Sequence, residues 1–132
     1  MRPQILETGM AAIGDLTLKS GKVLADVEIA YATAGKLNAA RDNTVLVTHG
    51  FTSSHLFIGR TSETASEGTW SGLVGPGRAI DTDRFFVVSS NMLGSSFGST
   101  SPASINPASG RPYGPDFPDI TVSDIVEAQR RM

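Results

Sequence analysis

Thr44-Val45-Leu46-Val47-Thr48-His49-Gly50-Phe51-Thr52 is the stretch on which the fold turns. Residues 44–48 are nearly continuous in apolar character, the pattern of a strand buried on both faces. Phe85-Phe86-Val87-Val88 repeats that pattern. The two runs lie too far apart for a tight hairpin, so the spacing predicts a crossover connection and a parallel pair in an α/β sheet. Upstream, Asp15-Leu16-Thr17-Leu18 is a short alternating run closed by the turn signal Ser20-Gly21. Val23 to Thr33 then alternates, with Val23, Ala25, Val27, Ile29 and Tyr31 expected on one face. A short glycine-bearing turn between them predicts an antiparallel hairpin.

Downstream, residues 94–119 are dense in glycine, proline and serine and have no periodicity. A stretch this long without regular structure is a functional excursion or disordered, and its aromatics Phe97, Tyr113 and Phe117 argue for packing. Thr121 with Asp124 three residues later spells a capping box. Val122, Ile125, Val126 and Gln129 are expected on one helical stripe. No stop signal precedes Arg130-Arg131-Met132, and the helix reads as cut rather than finished. Residues 1–132 are therefore expected to be a fragment, or one piece of a processed chain, of about one domain.

Composition excludes several classes. Apolar residues supply 39%, charged residues 18%, and the formal net charge is −2. That balance argues against a disordered charged tail and against nucleic-acid binding through a basic stripe. No apolar run approaches the roughly 20 residues that span a bilayer, so no membrane partner is expected. Met1-Arg2-Pro3-Gln4 is not followed by the apolar segment of a secretory signal, and a cytoplasmic location fits best. With 0 cysteines, a disulfide scaffold, a zinc ribbon and a thiol nucleophile are all excluded.

His49-Gly50-Phe51-Thr52 follows the buried strand directly. In α/β-hydrolase enzymes a loop at this place supplies one backbone N–H to the oxyanion, and the residue after the nucleophile supplies the other. A glycine there lets the backbone approach a substrate without a Cβ in the way. On these residues alone the plainer reading, a strand ending in a turn, carries more weight.

The signal sharpens further on. Gly75-Pro76-Gly77-Arg78-Ala79-Ile80-Asp81-Thr82-Asp83-Arg84-Phe85-Phe86-Val87 is followed by Ser90-Asn91-Met92-Leu93-Gly94 and Phe97-Gly98-Ser99-Thr100. Ser104-Ile105-Asn106-Pro107, Gly110-Arg111-Pro112-Tyr113-Gly114 and Asp116-Phe117-Pro118 come next. Together these motifs resemble the homoserine O-acetyltransferase family, over residues 15–132. The resemblance implies an α/β-hydrolase fold, of which this chain would hold the N-terminal strands and first helices of the central sheet. It also implies an enzyme in which a serine takes an acetyl group from acetyl-CoA, as co-substrate, and passes it to an acceptor hydroxyl. Phe51 N–H would be the oxyanion donor, and Thr52, Ser53 and Ser54 would shape the acyl pocket. No bound cofactor and no metal are implied. Homodimerisation, or association with the missing C-terminal part, is the expected assembly.

The sequence departs from the family in two places. The acetyltransferases usually read His-Ala-Leu-Thr-Gly-Ser, whereas this chain has His49-Gly50-Phe51-Thr52-Ser53-Ser54. Thr52 resembles the acetyl-type residue, while Gly50-Phe51 resembles general esterases, which keeps a carboxylester hydrolase open as the alternative. The family's elbow, Gly-Gly-Ser-Met-Gly, and its later aspartate and histidine have no counterpart here. The chain alone is thus expected to be inactive, and an inactive fragment is the third reading.

Other candidates have plainer explanations. Gly94-Ser95-Ser96-Phe97-Gly98 satisfies G-x-S-x-G, but the prolines that follow deny the elbow its helix, so Ser96 reads as a loop serine. His49 and His55 are the only histidines and lack a third metal ligand. His49 reads as a structural hydrogen-bonding residue at the strand end. Asp81 and Asp83 read as turn formers beside Arg78 and Arg84. Trp70, Leu73 and Val74 read as core packing.

Overall fold

The computed structural model describes Arg2 and residues 4–59 and 69–132. Among them the strands run β1 (Glu7–Thr17), β2 (Val23–Ala34), β3 (Thr44–Leu46), β4 (Val74–Gly75), β5 (Ile80–Asp81), β6 (Phe86–Ser90), β7 (Ile105–Asn106) and β8 (Arg111–Pro112), and the helix α1 (Val122–Arg131) follows. The principal sheet has the order β1-β2-β6-β3. β3 and β6 are parallel, with Val45 opposite Val87 and Leu46 opposite Val88. β2 lies antiparallel on the other side of β6, with Tyr31 opposite Ser90. The parallel pair expected from the two apolar runs is therefore present. The chain divides into two compact units, Met1–Gly9 with Tyr31–Ser90, and Met10–Ala30 with Asn91–Met132.

In the first unit the core is Ala32, Ala34, Val47, Phe57, Ile58, Val74 and Val87. β3 itself is less buried than its composition implies. Among the described residues it is the terminal strand of the sheet order, and Leu46 on one of its faces is 52% exposed. Of the apolar turn, Val74 is fully buried, whereas Trp70 and Leu73 stay largely exposed, with the Trp70 ring 5.3 Å from that of Phe57. Asp81 is the turn former expected of it, accepting from Gly77 N–H at 2.8 Å and Asp83 N–H at 3.0 Å. Those two bonds hold its carboxyl below the usual carboxylate range. Asp83 pairs with Arg2 rather than with Arg78 or Arg84. Arg84 instead lies over the Phe85 ring.

In the second unit the core gathers Leu16, Leu18, Leu24, Val27, Ile29, Leu93, Tyr113 and Ala128. The turn after β1 is closed by Leu18 N–H to the Lys22 carbonyl, 2.8 Å. The alternation expected from Val23 does not hold along β2. Leu24 is buried and Val23 is 58% exposed, yet Val27 and Ile29 are buried as expected. Asp26 lies between them at φ +48°, and a residue in the left-handed region advances the phase of the pleat by one. Asp26 N–H donates to the Asp15 carboxylate at 3.0 Å, which holds that irregularity in place. The loop-rich stretch is ordered around Tyr113, buried, with Phe117 edge-on to it at 5.4 Å. No helix among the described residues is long and apolar enough to cross a membrane.

The capping box of α1 is present. Thr121 Oγ1 accepts from Asp124 N–H at 3.3 Å, and the Asp124 carboxylate accepts from Thr121 N–H at 2.8 Å. The inward face keeps Ile125 of the expected stripe, which packs against the core, but otherwise differs: Asp124 and Ala128 are buried, whereas Val122 and Val126 are 76% and 55% exposed. The cause is a bond across the chain, Lys19 N–H to Asp124 Oδ1 at 2.8 Å, which draws the capping carboxylate inward. Burial pushes the Asp124 carboxyl up, but the bonds from Thr121 and Lys19 outweigh it and leave the group below its ordinary value. A depressed folded pKa stabilises fully above the ordinary carboxylate pKa of about 3.9, and that stability is lost as pH falls through the lower folded value. Asp124→Ala is expected to cost about 1–3 kcal/mol near neutrality, through the lost cap and the stranded Lys19 N–H. Urea unfolding should show that difference shrinking below about pH 4; a difference that stays constant with pH would refute the electrostatic part.

Candidate active-site loop

The ladder continues one residue past β3, with Val47 N–H donating to the Val88 carbonyl at 2.9 Å, and the chain then leaves the sheet at His49. His49 is buried, at 5% exposure, and its Nδ1 lies 2.8 Å from the Gly50 carbonyl oxygen. Ser53 N–H donates to the same oxygen at 3.2 Å, closing a turn over Phe51 and Thr52. In a trans peptide the carbonyl of one residue and the N–H of the next point in opposite directions. A Gly50 carbonyl held by His49 and Ser53 therefore turns the Phe51 N–H away from both. Among the described residues that N–H donates no hydrogen bond.

Phe51 is fully exposed, Thr52 is exposed and Ser53 is half-buried. Ser54 is buried and spent locally: its Oγ accepts from Leu56 N–H at 3.2 Å, capping the 3-10 turn His55–Ile58. Phe57 and Ile58 of that turn enter the core, which fixes where the loop begins and ends. A Cβ added at Gly50 would meet nothing within 4 Å. The chain's own packing thus does not require glycine there. A groove of about 610 Å³ lined by Arg2, Glu7, Thr33, Lys36 and Asp83, among others, includes none of residues 49–54.

Ser96 is exposed and lies between Gly94 at φ +83° and Gly98 at φ +110°. Turns and bends follow, and no α-helix begins between Ser96 and Val122. Ser96 thus lacks the helix N-terminus a nucleophile elbow needs. No group of three or more potential metal ligands occurs among the described residues, His49 and His55 included. Sequence reasoning passed over the side chains of Ser89 and Asn91. Both are fully buried, and among the described residues Ser89 Oγ and the Asn91 carboxamide have no hydrogen-bond partner. The polar triplet Ser89-Ser90-Asn91 at the end of an apolar strand was the available signal.

A parallel β3/β6 pair flanked by antiparallel β2, with a His-Gly turn at the end of β3, belongs to the α/β-hydrolase fold. The crystal structure of esterase E22 matches it with a TM-score of 0.82 and 35% identity, over 96% of this chain and 36% of that one. In sequence the chain is similar to the homoserine O-acyltransferases. It is 54% identical over 118 residues to the homoserine O-succinyltransferase of Methylibium petroleiphilum, covering 89% of this chain and 30% of that protein. It is 50% identical over 117 residues to the homoserine O-acetyltransferase of Geotalea uraniireducens, covering 88% of this chain and 32% of that protein. The resemblance drawn from the motifs between Gly75 and Pro118 therefore stands, and the chain spans about a third of the length of these relatives. No protein-family model matches it.

Proposed function

We propose that residues 49–54 are the oxyanion side of a serine-dependent homoserine O-acyltransferase. The orientation of the Gly50–Phe51 peptide carries this reading, because it offers a backbone donor at the end of a sheet strand. A serine supplied by sequence outside residues 1–132 attacks the thioester carbonyl of acetyl-CoA. The new C–O bond forms, the carbonyl oxygen takes the negative charge, and Phe51 N–H stabilises it until the C–S bond breaks and the thiol departs. The homoserine hydroxyl then attacks the acyl-enzyme and frees the serine. Thr52 and Ser53 border the acyl group, and Ser54 holds that border through its cap on Leu56. Acetyl is the proposed group because Thr52 resembles the acetyl-type residue. A cytoplasmic place in methionine biosynthesis, and assembly as a homodimer or with the segment bearing the triad, belong to the same reading.

The test joins residues 1–132 to the remainder of the Methylibium petroleiphilum relative and assays acetyl-CoA and succinyl-CoA with homoserine, and an acetyl ester in water. Acyl-CoA-dependent acylation of homoserine supports the proposal. Hydrolysis without transfer supports the esterase reading, which rests on the resemblance of Gly50-Phe51 to general esterases and with which the likeness to esterase E22 is compatible. A folded, inactive joined protein beside an active parent would sink both. In the joined protein Ser96→Ala should keep turnover within about tenfold, about 1.4 kcal/mol of barrier. A loss of about 10⁴-fold at unchanged folding would make Ser96 the nucleophile after all.

A further inference from the structure

We infer that His49 is a positioning residue for acyl transfer: its Nδ1–H, bonded to the Gly50 carbonyl, sets the direction of the Phe51 N–H. The inference rests on the oxyanion reading above and adds to it the group that fixes the donor. A carbonyl oxygen can only accept, so the 2.8 Å contact is a hydrogen bond only when Nδ1 carries the proton. Three features make the arrangement directional. The ring is buried at 5% exposure, so its position is set by packing rather than by solvent. The second bond to the same oxygen, from Ser53 N–H, is longer at 3.2 Å, so the histidine supplies the shorter of the two restraints. The peptide being held adjoins Gly50, whose missing Cβ leaves φ and ψ loosely restrained and whose Cβ position faces open space. Without the imidazole, one N–H from a tight turn is left to orient a peptide beside a flexible residue. A donor that wanders from the line of the developing oxyanion loses much of its effect, because the benefit depends on orientation fixed before the reaction.

The role predicts a pattern that packing alone does not. Asparagine places its amide nitrogen where Nδ1 stands, one bond beyond Cγ, whereas leucine of similar size has no donor. In the joined protein His49→Asn should keep kcat within about tenfold, and His49→Leu should lower kcat about tenfold to 10²-fold with KM for acyl-CoA little changed. The deciding measurement is the cycle with Phe51→Pro. If His49 acts through the Phe51 N–H, His49→Leu costs nothing further once that N–H is gone, and the double variant matches Phe51→Pro alone. Losses that multiply in the double variant overturn the inference, as does a folded His49→Asn protein that loses 10²-fold or more. Should His49→Leu not fold, the asparagine variant and the ring's ¹⁵N spectrum still decide, since a deprotonated Nδ1 at neutral pH rules the bond out. A folded Phe51→Pro protein with unchanged turnover would instead defeat the oxyanion reading itself, and the two failures are told apart.

Discussion

Phe51→Pro in the joined protein is expected to lower kcat by about 10²–10³, the usual consequence of deleting one oxyanion donor. Within residues 1–132 the substitution removes one N–H and nothing from either core, because the Phe51 side chain packs on neither. Phe51→Ala keeps the N–H and should stay within about tenfold of the parent, so the two variants separate backbone from side chain. Proline also fixes its own φ and restricts Gly50, and the turn bond from Ser53 N–H to the Gly50 carbonyl could be disturbed with it. The folding control is therefore thermal unfolding, which should differ little between the two variants. Equal losses from proline and alanine at equal stability would mean that the ring, not the amide, does the work. Only an excess for proline places the oxyanion donor at Phe51.

The parts of the fold legible in the sequence are those in which a local pattern coincides with the tertiary outcome. Val45-Leu46-Val47 and Phe86-Val87-Val88 are apolar because they neighbour one another, so the parallel pair could be read from them. The Thr121–Asp124 box is local and was equally readable. What could not be read depends on contacts between residues distant in sequence. The phase of β2 follows from the left-handed backbone of Asp26 and its tie to Asp15. The inward face of α1 follows from the Lys19–Asp124 bond rather than from the Val122–Val126 stripe. For the loop, His-Gly at a strand end marked the place, but not the double hold on the Gly50 carbonyl. That hold is a matter of one ring torsion and one turn, and neither leaves a trace in residue spacing.

Gly35→Ala is expected to be among the most destabilising single substitutions in the chain, at about 3–5 kcal/mol. Gly35 directly follows β2 at φ +81°, a conformation that costs an L-residue about 1 kcal/mol. The larger cost is contact. A Cβ there would overlap the Phe85 carbonyl oxygen and lie 2.7 Å from that of Thr82, both backbone atoms with no rotamer to yield. Relief requires moving the 81–85 turn, in which Arg84 and Phe85 N–H both bond to the Asp81 carbonyl, at 3.0 and 2.8 Å. That turn feeds β6 directly, so the shift would be felt in both ladders that β6 makes with β2 and β3. Two other glycines separate the causes. Gly110 has φ +68° with nothing within 4 Å, so Gly110→Ala should cost only the backbone share, about 1 kcal/mol. Gly50 has neither feature, and Gly50→Ala should fall within about 0.5 kcal/mol of the parent. Urea midpoints of the three variants in the joined protein should rank Gly50→Ala above Gly110→Ala and both far above Gly35→Ala. If Gly35→Ala matched Gly110→Ala, the 81–85 turn would be yielding freely, and the close approach of Gly35 would not be what sets the start of β6.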